Sequence, residues 1–120
     1  MAPSPRGIAY AELEARASAL PHVARGTSYG TPALKVRTTL MARLKEDGLT
    51  LVLRASWEDR ERLMVLQPKI YFLTDHYRGH LYVLVNLDRM AASDIDGALR
   101  MAWWEAASPA LRKQHPELTR

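Results

Sequence analysis

The chain contains no cysteine, so neither a disulfide framework nor a thiolate metal site can form. A reducing compartment fits that absence, and a cytoplasmic location is expected. No apolar run approaches the roughly 20 residues that cross a bilayer, so no membrane association is expected. The N-terminus, Met1-Ala2-Pro3-Ser4-Pro5-Arg6-Gly7, lacks the apolar stretch of a secretory signal and is expected to be a loose lead-in. Catalytic motifs are missing as well. There is no Gly-rich phosphate loop ahead of a helix, no serine elbow and no His-Glu-x-x-His. The expectation is a protein that is not an enzyme, with no catalytic residues, no metal and no cofactor.

What is present is a chain of 120 residues, 48% apolar, long enough to bury a core in one domain spanning 1–120. Its net charge is +4. Between Arg25 and Arg54 lie six basic and two acidic residues, so this quarter of the chain carries the whole excess. Such concentration attracts an anion, although a solvated surface can also carry it.

Periodicity divides the chain. Tyr10, Leu13, Ala17 and Leu20 recur at helical spacing over 8–20, and Pro21 ends that helix. From Arg25 to Arg54 the period becomes two. Leu34 and Val36 alternate with Lys35 and Arg37. Leu40, Ala42 and Leu44 alternate with Met41, Arg43 and Lys45, and after the turn Glu46-Asp47-Gly48, Leu49, Leu51 and Leu53 alternate with Thr50, Val52 and Arg54. This predicts an antiparallel meander with one buried and one wet face. Ser56, with Asp59 three residues on, predicts a capped helix running to about Gln67. Strands are expected over 69–74 and 80–87. A last long helix is expected with Ser93 as N-cap and an inner stripe of Ile95, Leu99, Ala102 and Ala106 beside Trp103. Pro109 should start a short helical segment, with 113–120 frayed. The expected class is α+β, an antiparallel sheet of about six strands with helices on one face, in the order α-β-β-β-β-α-β-β-α.

That order of elements carries two motifs, Thr27-Ser28-Tyr29-Gly30-Thr31-Pro32-Ala33 and Tyr71-Phe72-Leu73-Thr74-Asp75-His76-Tyr77-Arg78-Gly79-His80. With them the chain resembles the MmcQ/YjbR family of bacterial proteins over roughly 8–112. The resemblance implies a frataxin-like (CyaY-like) fold and DNA binding. The chain departs from that family's pattern at Tyr77-Arg78-Gly79-His80-Leu81-Tyr82, where many members carry an Asn-Lys-x-His-Trp turn. Only Arg78 and Tyr82 stand in for the lysine and tryptophan.

The candidate nucleic-acid-binding residues are Lys35, Arg37, Arg43, Lys45 and Arg54 on the wet sheet face, with Tyr77 and Arg78 at the tip of a projecting turn. Side chains that alternate on strands about 4.8 Å apart would merge into one basic field, and such a field holds phosphates of DNA or RNA without reading sequence. Two bland readings stay open beside it: cations that discourage edge pairing, and Gly79 serving only the turn. His76 and His80 lack a third ligand other than Asp75, so a metal is not expected. Iron is not expected either, because Glu12 and Glu14 are followed by Arg16 and form no acidic ridge. A monomer is expected. The alternative is a protein- or small-ligand-binding domain, homodimeric if Trp104, Leu73 and Leu84 form an exposed apolar surface.

Overall fold

Alternation from Val23 to Arg54 yields four consecutive strands in the computed structural model, which describes residues 8–119. They are β1 (Val23–Ser28), β2 (Thr31–Val36), β3 (Thr39–Leu44) and β4 (Thr50–Arg54). Two more, β5 (Tyr71–Phe72) and β6 (Tyr82–Asn86), complete one antiparallel sheet in the order β1-β2-β3-β4-β6-β5. The helices are α1 (Tyr10–Ala17), α2 (Trp57–Leu66), α3 (Ala92–Ala106) and α4 (Pro109–Gln114). The class and the element order are those expected. The last two strands are shorter than the ranges 69–74 and 80–87. The lead-in expected at 1–7 lies outside the described residues.

The helix-facing side of the sheet holds the core. Leu34, Ala42, Leu53 and Val83 are register partners across β2, β3, β4 and β6, and all are fully buried. Helix α3 lies across β2, β3 and β4, burying Ile95, Leu99, Ala102, Trp103 and Ala106. The Trp103 indole donates to the Pro21 carbonyl at 2.8 Å, which satisfies its one polar atom inside the core.

Local chemistry explains most of the helix ends. The Ser56 hydroxyl accepts from the Asp59 amide at 3.1 Å and starts α2. Helix α3 begins two residues earlier than expected. Ala91 is the N-cap and Ser93 lies in the first turn, because the Asp94 carboxylate reaches back to accept from the Ala91 amide at 3.3 Å. Over 113–119 the tail is folded rather than frayed. Beyond α4 a 3-10 turn at Pro116–Leu118 tucks Leu118 into the core at 8% exposure. Arg112 donates to the Trp104 carbonyl at 2.7 Å and lies 5.4 Å over its ring, so Trp104 is half-buried and not an open patch.

One alternation is broken. Between β2 and β3 the register shifts: Leu34 pairs with Ala42, Lys35 with Leu40, and Met41 is left without a partner. This bulge sends both Met41 and Ala42 into the core. Leu40, expected on the buried face, instead joins Lys35 and Arg43 on the side away from the helices.

Candidate functional site

The side of the sheet away from the helices is not simply wet. Its middle row runs without a break across all six strands: Gly26, Ala33, Arg43, Val52, Leu84 and Phe72 are successive register partners. Val52 and Leu84 are 1% and 0% exposed, although no helix covers this face. Their cover is the 73–81 segment between β5 and β6, which folds back over the sheet so that the Tyr77 ring lies 5.9 Å from the Lys45 ammonium of the β3–β4 turn. Arg60 of α2, 5% exposed, holds the segment down by donating to the carbonyls of Tyr77, Arg78 and His80 at 3.4, 3.0 and 2.9 Å. The Trp57 ring lies 4.4 Å from the Arg60 guanidinium. The projecting hairpin expected here is therefore a folded-down wall, containing a 3-10 turn at Asp75–Tyr77. Arg78 remains exposed but is ion-paired with Asp75 at 3.3 Å.

Between this wall and the β1–β2 turn opens a cavity of about 440 Å³. Leu40 and Val52 belong to its sheet side, and Tyr29, Tyr77, Tyr82, His76 and His80 supply rings. Tyr29 arrives through an unusual backbone. Ser28 pairs with Thr31, leaving Tyr29 and Gly30 as a two-residue turn with φ of +53° and +79°. Both central residues are left-handed, which defines the hairpin turn that suits Asn-Gly best. Glycine meets that demand freely, but a tyrosine does so at a cost of about 1 to 2 kcal/mol. The turn leaves Tyr29 88% exposed, with its ring centroid 5.2 Å from the Arg43 guanidinium.

Arg43 is the fixed point of the site. It is 7% exposed and donates to the Thr31 hydroxyl at 3.1 Å, the Leu44 carbonyl at 3.4 Å and Glu46 at 3.3 Å. A charge so placed requires such partners, since an unpaired one would cost several kcal/mol. Two further cations complete the rim. Lys45 faces Tyr77, and Arg54 lies 5.2 Å from the Tyr82 ring centroid and donates to its hydroxyl at 3.2 Å. Three tyrosines, each paired with a cation, thus surround one hollow.

Of the seven candidates from the sequence, the structure gathers Arg43, Lys45, Arg54 and Tyr77 here. Lys35 shares the face, exposed and without a charged partner among the described residues, opposite Leu40. Arg37 does not join them. It stands in the turn closing β2 and β3, at φ +55°, at the end of that hairpin away from Tyr29. The continuous field of five free cations is therefore not formed, because Arg43 is internal and neutralised by Glu46. Reading the sequence overlooked Tyr29, Glu46, Leu40 and Arg60. The Tyr-Gly pair between two alternating stretches was the available signal for the first. Of the apolar spots, Leu84 is buried and Trp104 half-buried, so neither is the open patch expected. Among the described residues no three His, Asp or Glu side chains gather as a metal site; the His76 and His80 rings lie 6.2 Å apart.

A larger cleft of about 610 Å³ separates α2 from α3 on the helix side. Tyr71 lines it, its phenol pushed up to about 12 by burial and by the nearby Asp94 carboxylate. None of the candidate residues reaches that cleft.

No family model matches the chain, and no curated protein matches it. No helix among the described residues is long and apolar enough to cross a membrane. The fold does have a counterpart among solved structures. The crystal structure of Deinococcus radiodurans protein DR2400, a DUF419 domain, superposes with a TM-score of 0.70 over 94% of this chain and 91% of that one, at 22% identity. The chain therefore shares the small α+β fold of a DUF419 domain.

Proposed function

We propose that the outer face of the sheet binds single-stranded nucleic acid, and that the chain belongs with the MmcQ/YjbR proteins it resembles. The observation that carries this reading is the convergence of both sequence motifs on one hollow ringed by three tyrosine–cation pairs. Unpaired bases stack on aromatic side chains at about 1 to 3 kcal/mol each, while nearby cations hold the phosphates. A duplex hides its base faces, and reading it in a groove calls for an element that projects. Here the 73–81 segment lies flat against the sheet, so the hollow suits a strand whose bases are free. Lys35, Lys45 and Arg54 supply the phosphate contacts, and Arg43 serves as an internal support.

Titration of labelled single-stranded and duplex oligonucleotides tests the proposal. Three phosphate contacts give a log–log salt slope near −2 for single strands, so affinity should fall about twentyfold between about 50 and 200 mM salt. Single strands should bind more tightly than duplex. Undetectable or salt-independent binding would remove the reading. The second reading, a small-ligand site, draws on the cavity itself, whose volume lies within the range of small-molecule pockets.

A further inference from the structure

Stacking and phosphate contacts leave one group of the hollow unused. Glu46 lines the cavity, where a carboxylate is misplaced if its only task is to receive an anion. It is held there deliberately. Arg43, itself anchored to Thr31 and the Leu44 carbonyl, donates through two nitrogens to Glu46 Oε1 at 3.3 and 3.5 Å. The second oxygen, Oε2, makes no hydrogen bond among the described residues, and the side chain is 63% exposed. The Arg43 charge offsets that of the carboxylate, so an anionic ligand is not repelled. What remains is a fixed acceptor beside aromatic rings.

An acceptor of this kind selects bases by the donors on their edges. Guanine presents two parallel donors, N1–H and the N2 amino group, which match the two oxygens of a carboxylate. Adenine and cytosine each offer an amino group beside a ring-nitrogen acceptor, which opposes the second oxygen. Uracil and thymine offer one imide N–H between two carbonyls. Resting on the strand-binding reading above, we infer that the cavity is a guanine pocket. The base lies among the Tyr29, Tyr77 and Tyr82 rings, its Watson–Crick edge meets Glu46, and its phosphate faces Lys45 and Arg54. A volume of about 440 Å³ accommodates base and sugar together.

The test compares guanosine and adenosine 5′-monophosphate by calorimetry, and in parallel short thymidine strands carrying one central guanine or one central adenine. Guanine should be favoured about tenfold, the discrimination of one bidentate contact. Glu46→Gln keeps an acceptor for Arg43 but replaces the free oxygen by an amide donor, so it should lose that preference and turn it toward adenine. A purely structural role for Glu46 would weaken all ligands equally, and that result overturns the inference. Guanine preference in the strands alone assigns the pocket to strand recognition. Preference in the mononucleotides without strand binding keeps the pocket and removes the strand reading. Strands bound without base preference overturn the pocket and leave the strand reading standing, whereas no binding in either arm overturns both.

Discussion

Tyr29 offers a test in which stability and binding should move apart. Its φ of +53° places a β-carbon in the left-handed region, at a cost of about 1 to 2 kcal/mol. Against this stands the contact of its ring with Arg43 at 5.2 Å, worth about 0.5 to 1 kcal/mol at an exposed position. Tyr29→Ala removes the ring and keeps the strain, so it should destabilise by about 0.5 to 1 kcal/mol. Tyr29→Asn removes the same ring but tolerates the left-handed backbone, and should exceed the alanine variant by about 1 kcal/mol. For a domain near this size that separates their melting temperatures by about 4 °C. Urea unfolding of the three proteins supplies the numbers. Both variants should also weaken strand binding about tenfold or more, through loss of one stacking platform. A Tyr29→Ala protein as stable as Tyr29→Asn would refute the strain argument. Unaltered binding in both would show that the strained ring serves no ligand.

Two further outcomes follow from other parts of the molecule. Arg60→Met keeps the stem against Trp57 but releases three carbonyls of the 73–81 wall; it should cost about 2 kcal/mol and speed amide exchange at Tyr77 to Tyr82, and unchanged protection there would contradict the clamp. Tyr10 and Tyr71 have phenols pushed up to about 12, chiefly by burial. The fold favours their neutral form, so this stabilisation is complete below the ordinary value near 10 and is lost as pH rises from about 10 to 12. Ultraviolet titration should show two late-ionising tyrosines and unfolding in that window; all five tyrosines ionising together near pH 10 in an intact fold would be inconsistent with the packing.

The architecture was legible because its signals are local. Alternation over 31–54, the turn at Glu46-Asp47-Gly48 and the Ser56 cap each act within a few residues, and the element order follows from them. The bulge was not legible, since Leu40, Met41 and Ala42 are all apolar and a one-residue slip leaves the pattern looking intact. The N-cap of α3 was displaced by a carboxylate reaching back three residues, a choice that sequence propensity alone does not settle. Leu118 lies alone in a polar tail, so its burial depends on α3 and α4 offering it a place. The site was half legible. Cations at 43, 45 and 54 were identified, but the fold-over of 73–81 depends on Arg60, remote in sequence. Apolar residues at the outward positions Val52 and Leu84 were its trace, because an open face would not favour them.

The central claim is that ligand binds on the sheet face away from the helices. Amide chemical-shift mapping with a short single-stranded oligonucleotide tests it most directly. The largest changes should fall at Tyr29 to Thr31, Leu40 to Glu46, Val52 to Arg54 and Asp75 to Tyr82, while α1, α3 and α4 stay silent. Changes gathered instead along the α2–α3 cleft at Tyr71 and Asp94 would contradict the account.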